Sequence, residues 1–243
     1  MANHALNPVL AELRERIGRL EGSVQRSRQA LPFDVAEVDR ALPGGGLAFG
    51  ALHEVAGGGG GTVDGAAAAL FSAGVAARTS GRVLWCMTRP DLFFPAISQA
   101  GLHPDRVVFC ESDREEEVLS AMEEGLSFGG LSCVVGELVR LSMTASRRLH
   151  LAAEKTGSMG IVLRRWRRQN EASDYGQPTA STTRWRISTL PSERLPVAGV
   201  GRARWLAELM RVKAGVSTAE QKPATRRSKS RPLWRAHETA GRA

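Results

Sequence analysis

The sequence has 243 residues, of which 42% are hydrophobic, and its formal net charge is +8 at pH 7. This length suits one well-buried core with flexible ends, and no run approaches the roughly 20 apolar residues that a membrane-spanning helix needs. Because the N-terminus has no basic segment followed by an apolar one, we expect a cytoplasmic protein without a secretory signal.

The positive charge is concentrated in the second half of the chain. Residues 1–139 carry 11 Arg and 18 acidic residues, a net charge of −7. Residues 140–243 carry 22 Lys plus Arg and 7 acidic residues, a net charge of +15. This asymmetry predicts a basic surface for nucleic acid or an acidic partner, or alternatively a solvated basic face with a basic tail.

The cysteines and histidines show no catalytic or metal-binding spacing. Cys86, Cys110 and Cys133 lie far apart, each within or beside a short apolar run, and no C-x-x-C sequence occurs. The five histidines are equally scattered. We therefore expect buried, reduced thiols, with no metal site, no cofactor and no hydrolase triad.

Residues 1–30 predict an amphipathic N-terminal helix, for which Asn7 and Pro8 suit the cap and first turn. Its apolar residues recur at three- and four-residue steps. They are Leu6, Val9, Leu10, Leu13, Ile17, Leu20 and Val24. Next, LPFDVAEVDRALPGGGLAFG predicts a short helix ending in a glycine-rich turn, and ALHEVA predicts a strand. A helix of small residues is expected from about Asp64 to Arg78.

Four short apolar runs predict buried parallel strands. They are VLWCM after Gly81, RVVFC near 106–110, SCVVG near 132–136 and MGIVL near 159–163. The helical segments REEEVLSAMEEGL and SMTASRRLHLAAEKTG lie between them, the second with Lys155 in its last turn and Gly157 at its end. Because strands and helices alternate, we expect an α/β fold with a mostly parallel sheet flanked by helices.

The last part of the chain lies beyond the predicted core, which spans residues 31–190. Within the core, a polar segment after Arg168 predicts a loop, and TRWRIST predicts a strand. Residues 202–213, inside a region spanning 191–214, predict a helix with an apolar side. From residue 215 the chain is rich in Lys, Arg, Ser and Pro and loses its apolar period, so a disordered basic tail is expected over 215–243.

A glycine-rich loop follows the ALHEVA strand. In a phosphate-binding P-loop, glycines let backbone N–H groups surround the phosphates, a lysine reaches the terminal phosphates, and a Ser or Thr hydroxyl holds magnesium. The glycines here are Gly57, Gly58, Gly59, Gly60 and Gly61. In the G-x-x-x-x-G-K-[ST] register the last three positions are Thr62, Val63 and Asp64, and no other register supplies a lysine. We therefore expect a degenerate P-loop that does not hydrolyse ATP.

The order of these segments resembles the RecA ATPase core from roughly Leu31 to Leu190. More closely, a set of long motifs is similar to the ImuA proteins of alpha-proteobacteria. The motifs are LPFDVAEVDRALPGGGL, HEVAG, the lysine-free glycine loop, LWCMTRPDLFFPAISQAGL, SCVVGELVRL, IVLRRW and GVGRARWLAELMRVKAG. By this resemblance, Gly136 followed by Glu137 stands where RecA-type ATPases have the magnesium aspartate, and Pro90 lies near the catalytic glutamate. The resemblance implies a RecA-like fold without catalytic residues.

The resemblance also implies a function. ImuA proteins belong to the DNA-damage-induced (SOS) mutagenesis cassette, so we expect a non-catalytic adaptor in translesion DNA synthesis. The implied partners are ImuB and, through ImuB, an error-prone DnaE-type polymerase, and RecA is a further candidate. The alternative is a SulA-like inhibitor of cell division, because SulA belongs to the same non-ATPase branch of the RecA-like fold.

Two groups of residues are candidates for binding. The resemblance implicates the C-terminal region in contact with ImuB, which here includes Trp205, Leu206, Leu209 and Met210. For single-stranded DNA, guanidinium groups would neutralise phosphates while aromatic rings stack on bases. These candidates are Arg164, Arg165, Trp166, Arg167, Arg168, Tyr175, Arg184 and Arg186. The alternative is that the aromatic residues belong to the core and the arginines to a solvated strand end.

Overall fold

The computed structural model of the protein describes residues 29–59, 61–166, 175–192, 195–197, 199 and 201–213. The N-terminal helix predicted around Leu6–Val24 and the predicted basic tail lie outside these residues. So do Gly60 of the glycine loop and the DNA-binding candidates Arg167 and Arg168.

The described chain alternates strands and helices. The strands are β1 (Ala30–Leu31), β2 (Leu47–Ala48), β3 (Leu52–Gly57), β4 (Val83–Met87), β5 (Val107–Glu111), β6 (Cys133–Leu138), β7 (Met159–Arg164), β8 (Thr183–Leu190) and β9 (Arg204–Val212). The α-helices are α1 (Ala36–Ala41), α2 (Thr62–Ala77), α3 (Phe94–Gln99), α4 (Glu115–Phe128) and α5 (Met143–Thr156). Two 3₁₀ turns cover Pro43–Gly45 and Pro104–Arg106.

Seven of the described strands form one sheet in the order β5-β4-β6-β7-β3-β8-β9. Neighbours pair in parallel except β8 and β9, which are antiparallel. Strands β1 and β2 form a separate antiparallel pair. This arrangement confirms the expected α/β fold with a mostly parallel sheet flanked by helices.

The four apolar runs form four of the strands, as predicted. VLWCM, SCVVG and MGIVL lie in β4, β6 and β7, whose residues are almost all buried. RVVFC lies in β5, which is partly exposed because it is an edge strand. A strand inside a sheet covered on both faces has no solvated side, so its sequence is apolar throughout rather than alternating.

Helices cover both faces of the sheet. Helices α2 and α3 pack on the face that carries Trp85 and Val135. Helices α4 and α5 pack on the opposite face, which carries Cys86, Val134 and Val162. Since neighbouring residues of a strand point to opposite faces, each of these strands contributes to both halves of the core.

Helix α5 begins and ends where the sequence predicts. The Ser142 hydroxyl accepts a hydrogen bond from the backbone N–H of Ala145 at 3.1 Å, which caps the first turn. The helix ends at Gly157 in the left-handed conformation, with φ of 80°, which glycine adopts without steric cost.

The prediction of a helix over residues 202–213 is wrong, because this segment contains strand β9. The spacing of its apolar residues fits a helix, but alternate residues fit a strand equally well. Pairing with β8 decides between them: β9 satisfies the open backbone groups of β8, and Trp205, Ala207 and Leu209 pack against the core. The apolar side is thereby divided between two faces of the sheet.

Candidate functional site at the carboxyl edge of the sheet

The glycine loop connects the carboxyl end of β3 to α2, as the sequence predicts. The Gly58 N–H donates to the backbone oxygen of Ile187 in β8 at 2.8 Å. A Cβ atom at Gly58 would lie 2.1 Å from Ser188 Oγ, and one at Gly57 would lie 2.8 Å from the backbone of Asp64. Packing alone therefore requires glycine at these two positions.

The two positions that would complete a P-loop have different surroundings. Val63 is 63% exposed at the start of α2. Asp64 is buried, and its Oδ1 accepts hydrogen bonds from the backbone N–H and the hydroxyl of Thr189, both at 2.7 Å. This carboxylate ties the first turn of α2 to the end of β8, and its negative charge suits the helix N-terminus.

The position implied for the magnesium aspartate is Gly136 in β6. A Cβ atom there would lie 2.0 Å from Met122 Sδ, so glycine allows α4 to pack closely on the sheet. Pro90, near the position implied for the catalytic glutamate, follows β4 and is exposed.

Glu137 follows Gly136 and is buried at the end of β6. Its Oε1 accepts from Trp85 Nε1 at 2.9 Å, and its Oε2 accepts from Arg165 Nη1 at 2.7 Å. Burial raises the pKa of Glu137, although Arg165 and the Trp85 N–H oppose this effect. Arg165 also bridges to Asp91 at 2.6 Å. Both Glu137 oxygens are therefore held by groups of the protein itself.

A second buried ionic cluster surrounds Glu54 in the middle of β3. Glu54 is 0% exposed, and its two oxygens contact Arg164 at 3.3 Å and Arg184 at 3.1 Å. The Thr179 hydroxyl donates to the same carboxylate. Arg164 also donates to the Val139 carbonyl oxygen at 2.6 Å. The cluster joins β3, β7 and β8 to the chain that precedes β8.

Tyr175 and Trp166 pack against this cluster. Their rings meet edge to face with centroids 5.2 Å apart, and the Arg184 guanidinium lies 5.2 Å from the Tyr175 centroid. The Tyr175 hydroxyl donates to the backbone oxygen of Trp185 at 2.5 Å, and Trp166 Nε1 donates to the Val139 oxygen at 3.2 Å. Burial, and next the Glu54 charge, raise the pKa of Tyr175.

These contacts correct the expectation that Arg164 and Arg184 lie on a DNA surface, whereas the role predicted for the half-buried Trp166 and Tyr175 stays a prediction. Arg164 and Arg184 are buried against Glu54, because a carboxylate inside the sheet requires compensating charge. Arg165 is held by Asp91 and Glu137, and Arg186 pairs with Glu208 at 2.9 Å. The alternative expectation of a solvated strand end does not describe Arg164 and Arg184 either, because both are buried in ion pairs.

The four partner-binding candidates do not form one surface. Trp205 and Leu209 pack against the core cluster on the α2 face. Leu206 and Met210 stay 38% and 44% exposed. Two of the four residues are therefore accessible to a partner.

Sequence reasoning missed the carboxylates that organise this region, above all Glu54. One signal was present: a glutamate flanked by buried apolar residues in a predicted strand is rare unless it is paired. Its partners Arg164 and Arg184 are 110 and 130 residues away in sequence, so the pairing itself had no local signal.

No three His, Cys, Asp or Glu side chains gather as metal ligands in the described part of the chain. Among the helices described, none is both long and apolar enough to cross a membrane.

No protein-family model matches the chain. The chain is 37% identical over 206 residues to Protein ImuA of Caulobacter vibrioides strain NA1000 / CB15N, and the match covers 81% of this chain and 84% of that protein. Protein ImuA of Caulobacter vibrioides strain ATCC 19089 / CIP 103742 / CB 15 matches with the same identity and coverage. Among solved structures, SulA from Pseudomonas aeruginosa has a TM-score of 0.40 and 22% identity, covering 47% of this chain and 98% of that chain.

Proposed function

Since the chain belongs to the ImuA family, we propose that it is a non-catalytic adaptor in translesion DNA synthesis. Membership of this family supports involvement in inducible mutagenesis at the family level. The proposed partners are ImuB and, through ImuB, an error-prone DnaE-type polymerase.

The proposal that the protein is non-catalytic is supported above all by the hydrogen bonds that the Asp64 carboxylate accepts from Thr189. A phosphate at the start of α2 would meet this carboxylate, and two unit charges about 4 Å apart repel by about 4 kcal/mol at an effective dielectric constant near 20. Val63 offers no positive charge in compensation. Binding of a nucleoside triphosphate is therefore expected to be weaker by several orders of magnitude than in a P-loop with lysine.

The test of this part is the melting temperature of the full chain with and without millimolar ATP and magnesium. We expect no shift, because a ligand stabilises a protein only when its concentration approaches Kd. The double variant Val63→Lys/Asp64→Thr is the matched comparison, measured against its own ligand-free melting temperature. A clear ATP-dependent rise in the unsubstituted protein would contradict the proposal.

The adaptor part is supported by exposed side chains of β9. Leu206 and Met210 are exposed on either side of Glu208, which pairs with Arg186. Apolar side chains around a charged pair, on the edge strand of a rigid sheet, suit a protein partner. We name Leu206, Glu208 and Met210 the β9 surface.

A pull-down from cells with damaged DNA tests the adaptor part. The full chain is expected to recover ImuB and the error-prone polymerase, and the variant Leu206→Asp/Met210→Asp is expected to lose both. Leu151→Asp is the matched control, because Leu151 is 62% exposed on a different element, α5. Recovery of FtsZ instead, with filamentation on overexpression, would support the alternative of a cell division inhibitor.

A further inference from the structure

Two of the three cysteines face each other across neighbouring strands. In the pairing of β4 with β5, Cys86 lies directly opposite Cys110. Both side chains lie on the α4 face of the sheet, since Cys86 belongs to the core cluster there and Cys110 packs against it. Cys133 lies on the opposite face, in the cluster that contains Trp85. All three are free thiols.

The two facing thiols differ in accessibility. Cys86 is 0% exposed, whereas Cys110 is half-buried in β5, which is an edge strand and has a neighbour on one side within the described sheet. Burial, and next the nearby Cys110, raise the pKa of the Cys86 thiol. The thiolate is the reactive form, and burial disfavours it at Cys86. Since Cys110 is the more accessible of the two, an oxidant from solvent is expected to meet Cys110 first.

We propose that Cys86 and Cys110 form a reversible intramolecular disulfide when the protein meets a hydroperoxide. The Cys110 thiolate attacks the peroxide; an S–O bond forms, the O–O bond breaks, and the leaving alkoxide takes the proton that the thiol released. The Cys86 sulfur then attacks the resulting sulfenic acid. The S–S bond forms, the S–O bond breaks, and the departing hydroxide leaves as water with the proton of Cys86. Two thiols are oxidised, and the peroxide is reduced to an alcohol and water.

The spacing of the strands permits this bond. Neighbouring strands lie about 4.8 Å apart, and disulfides join Cα atoms about 4.4–6.8 Å apart. The Cβ atoms of a disulfide lie within about 4.5 Å of each other, and a small inward shift of β5 would close any wider separation. β5 can make that shift because it is hydrogen-bonded within the described sheet to β4 alone. A free dithiol reduces such a bond by thiol–disulfide exchange, which makes the modification reversible.

The disulfide would fix one edge of the molecule. It closes the segment 87–109, which includes α3 and the exposed Phe93 and Phe94. Phe94 already packs on Phe109 of β5, with ring centroids 4.7 Å apart. Oxidation would therefore hold this aromatic edge in one arrangement.

The test counts free thiols in the full chain after brief exposure to hydrogen peroxide, followed by unfolding and labelling with a maleimide. The protein is expected to fall from three labelled thiols to one, and dithiothreitol is expected to restore three. Peptide mapping should find the Cys86 peptide joined to the Cys110 peptide within one chain. Cys133→Ser, the matched control, should fall from two labelled thiols to none.

The variant Cys110→Ser should keep both remaining thiols, because it lacks the thiol that is expected to meet the oxidant first. The proposal is overturned if the unsubstituted chain keeps three thiols under conditions that form the bond between free cysteines. It is also overturned if the bond involves Cys133 or joins two chains, or if thiols are lost and dithiothreitol does not restore them.

Discussion

At the scale of single residues, buried carboxylates determine which arginines are available to a ligand. Glu54 holds Arg164 and Arg184 inside the molecule, and Glu137 holds Arg165. An arginine that neutralises a buried carboxylate cannot leave it for a phosphate without leaving that charge uncompensated. Arg164, Arg165 and Arg184 are therefore held in ion pairs with buried carboxylates.

Glu54→Ala is expected to reduce the free energy of unfolding by about 3–5 kcal/mol, because it leaves Arg164 and Arg184 buried without their counter-charge. Urea unfolding measures this loss. Glu208→Ala is the control, since its ion pair with Arg186 is well exposed and should contribute about 1 kcal/mol or less. Equal losses in the two variants would contradict the structural role assigned to Glu54.

The burial of His53 predicts that the free energy of unfolding depends on pH. Its Nε2 donates to the Ala48 oxygen at 2.9 Å, so its Nδ1 accepts from the Thr183 hydroxyl at 2.8 Å, and the ring is neutral. Burial lowers its pKa from 6.5 to about 4. A histidine with a lowered pKa stabilises the fold fully above its unfolded pKa of 6.5, and this contribution is lost as pH falls through about 4.

The expected loss between pH 7 and pH 4 is about 3 kcal/mol, from 1.36 kcal/mol for each unit of the shift. His53→Gln has no titrating ring, so its unfolding free energy should fall by about that much less over the same range. Urea unfolding at a series of pH values gives the comparison, in which the carboxylates and His150 contribute to both proteins. Parallel pH profiles would show that His53 is not the origin.

At the scale of elements, strand β9 is where sequence and structure differ most. The apolar residues of β9 fit a helical period, but hydrogen bonding to the edge of β8 stabilises the extended conformation. They are Trp205, Leu206, Leu209 and Met210. A chain ending at Leu190 would lose this strand and uncover Trp185 and Ile187, which it helps to bury. The C-terminal region is therefore part of the core, whatever partner it also binds.

The two sides of β9 should respond differently to substitution. Leu209→Asp places a charge against the core and is expected to cost about 3 kcal/mol or more. Leu206→Asp changes an exposed position and should cost less than about 1 kcal/mol. Unfolding in urea, followed by tryptophan fluorescence, distinguishes them. Similar losses would mean that both side chains are packed.

At the scale of the whole molecule, the positive charge has two parts. Some arginines are held in ion pairs of the described structure, and other basic residues lie outside the described part of the chain. Residues 214–243 carry 7 Lys plus Arg and 2 acidic residues. These residues and Arg167 and Arg168 lie outside the described part of the chain, so a role for them in binding nucleic acid stays a prediction. Any binding of single-stranded DNA is expected to depend on them and to weaken steeply with salt.

In a chain ending at Lys213, Arg167→Ala/Arg168→Ala should lower the slope of log affinity against log salt by about 1.4, at about 0.7 for each phosphate contact on a single strand. Arg186→Ala is the control and should leave the slope unchanged, since Arg186 is already in an ion pair with Glu208 at the surface. Fluorescence anisotropy with a labelled oligonucleotide measures both. If the chain does not bind the oligonucleotide, or if the slope is unchanged in the first variant, the prediction that the segment with Arg167 and Arg168 contacts DNA is wrong.

The sequence by itself determined the fold class, the glycine loop and the residues in its last positions. Apolar runs between breakers and helices with caps are local signals, so strands β4 to β7 and helices α2, α4 and α5 could be predicted from short windows. The replacement of a lysine and a hydroxyl by Val63 and Asp64 follows from the register alone.

The tertiary structure alone decided what the charged and C-terminal residues do. Arg164 and Arg184 meet Glu54 across 110 and 130 residues of chain, and Asp64 meets Thr189 across 125. Such pairs form because burial makes an uncompensated charge costly, and the fold determines which groups become neighbours. The same holds for β9, whose conformation depends on an adjacent strand edge rather than on its own period.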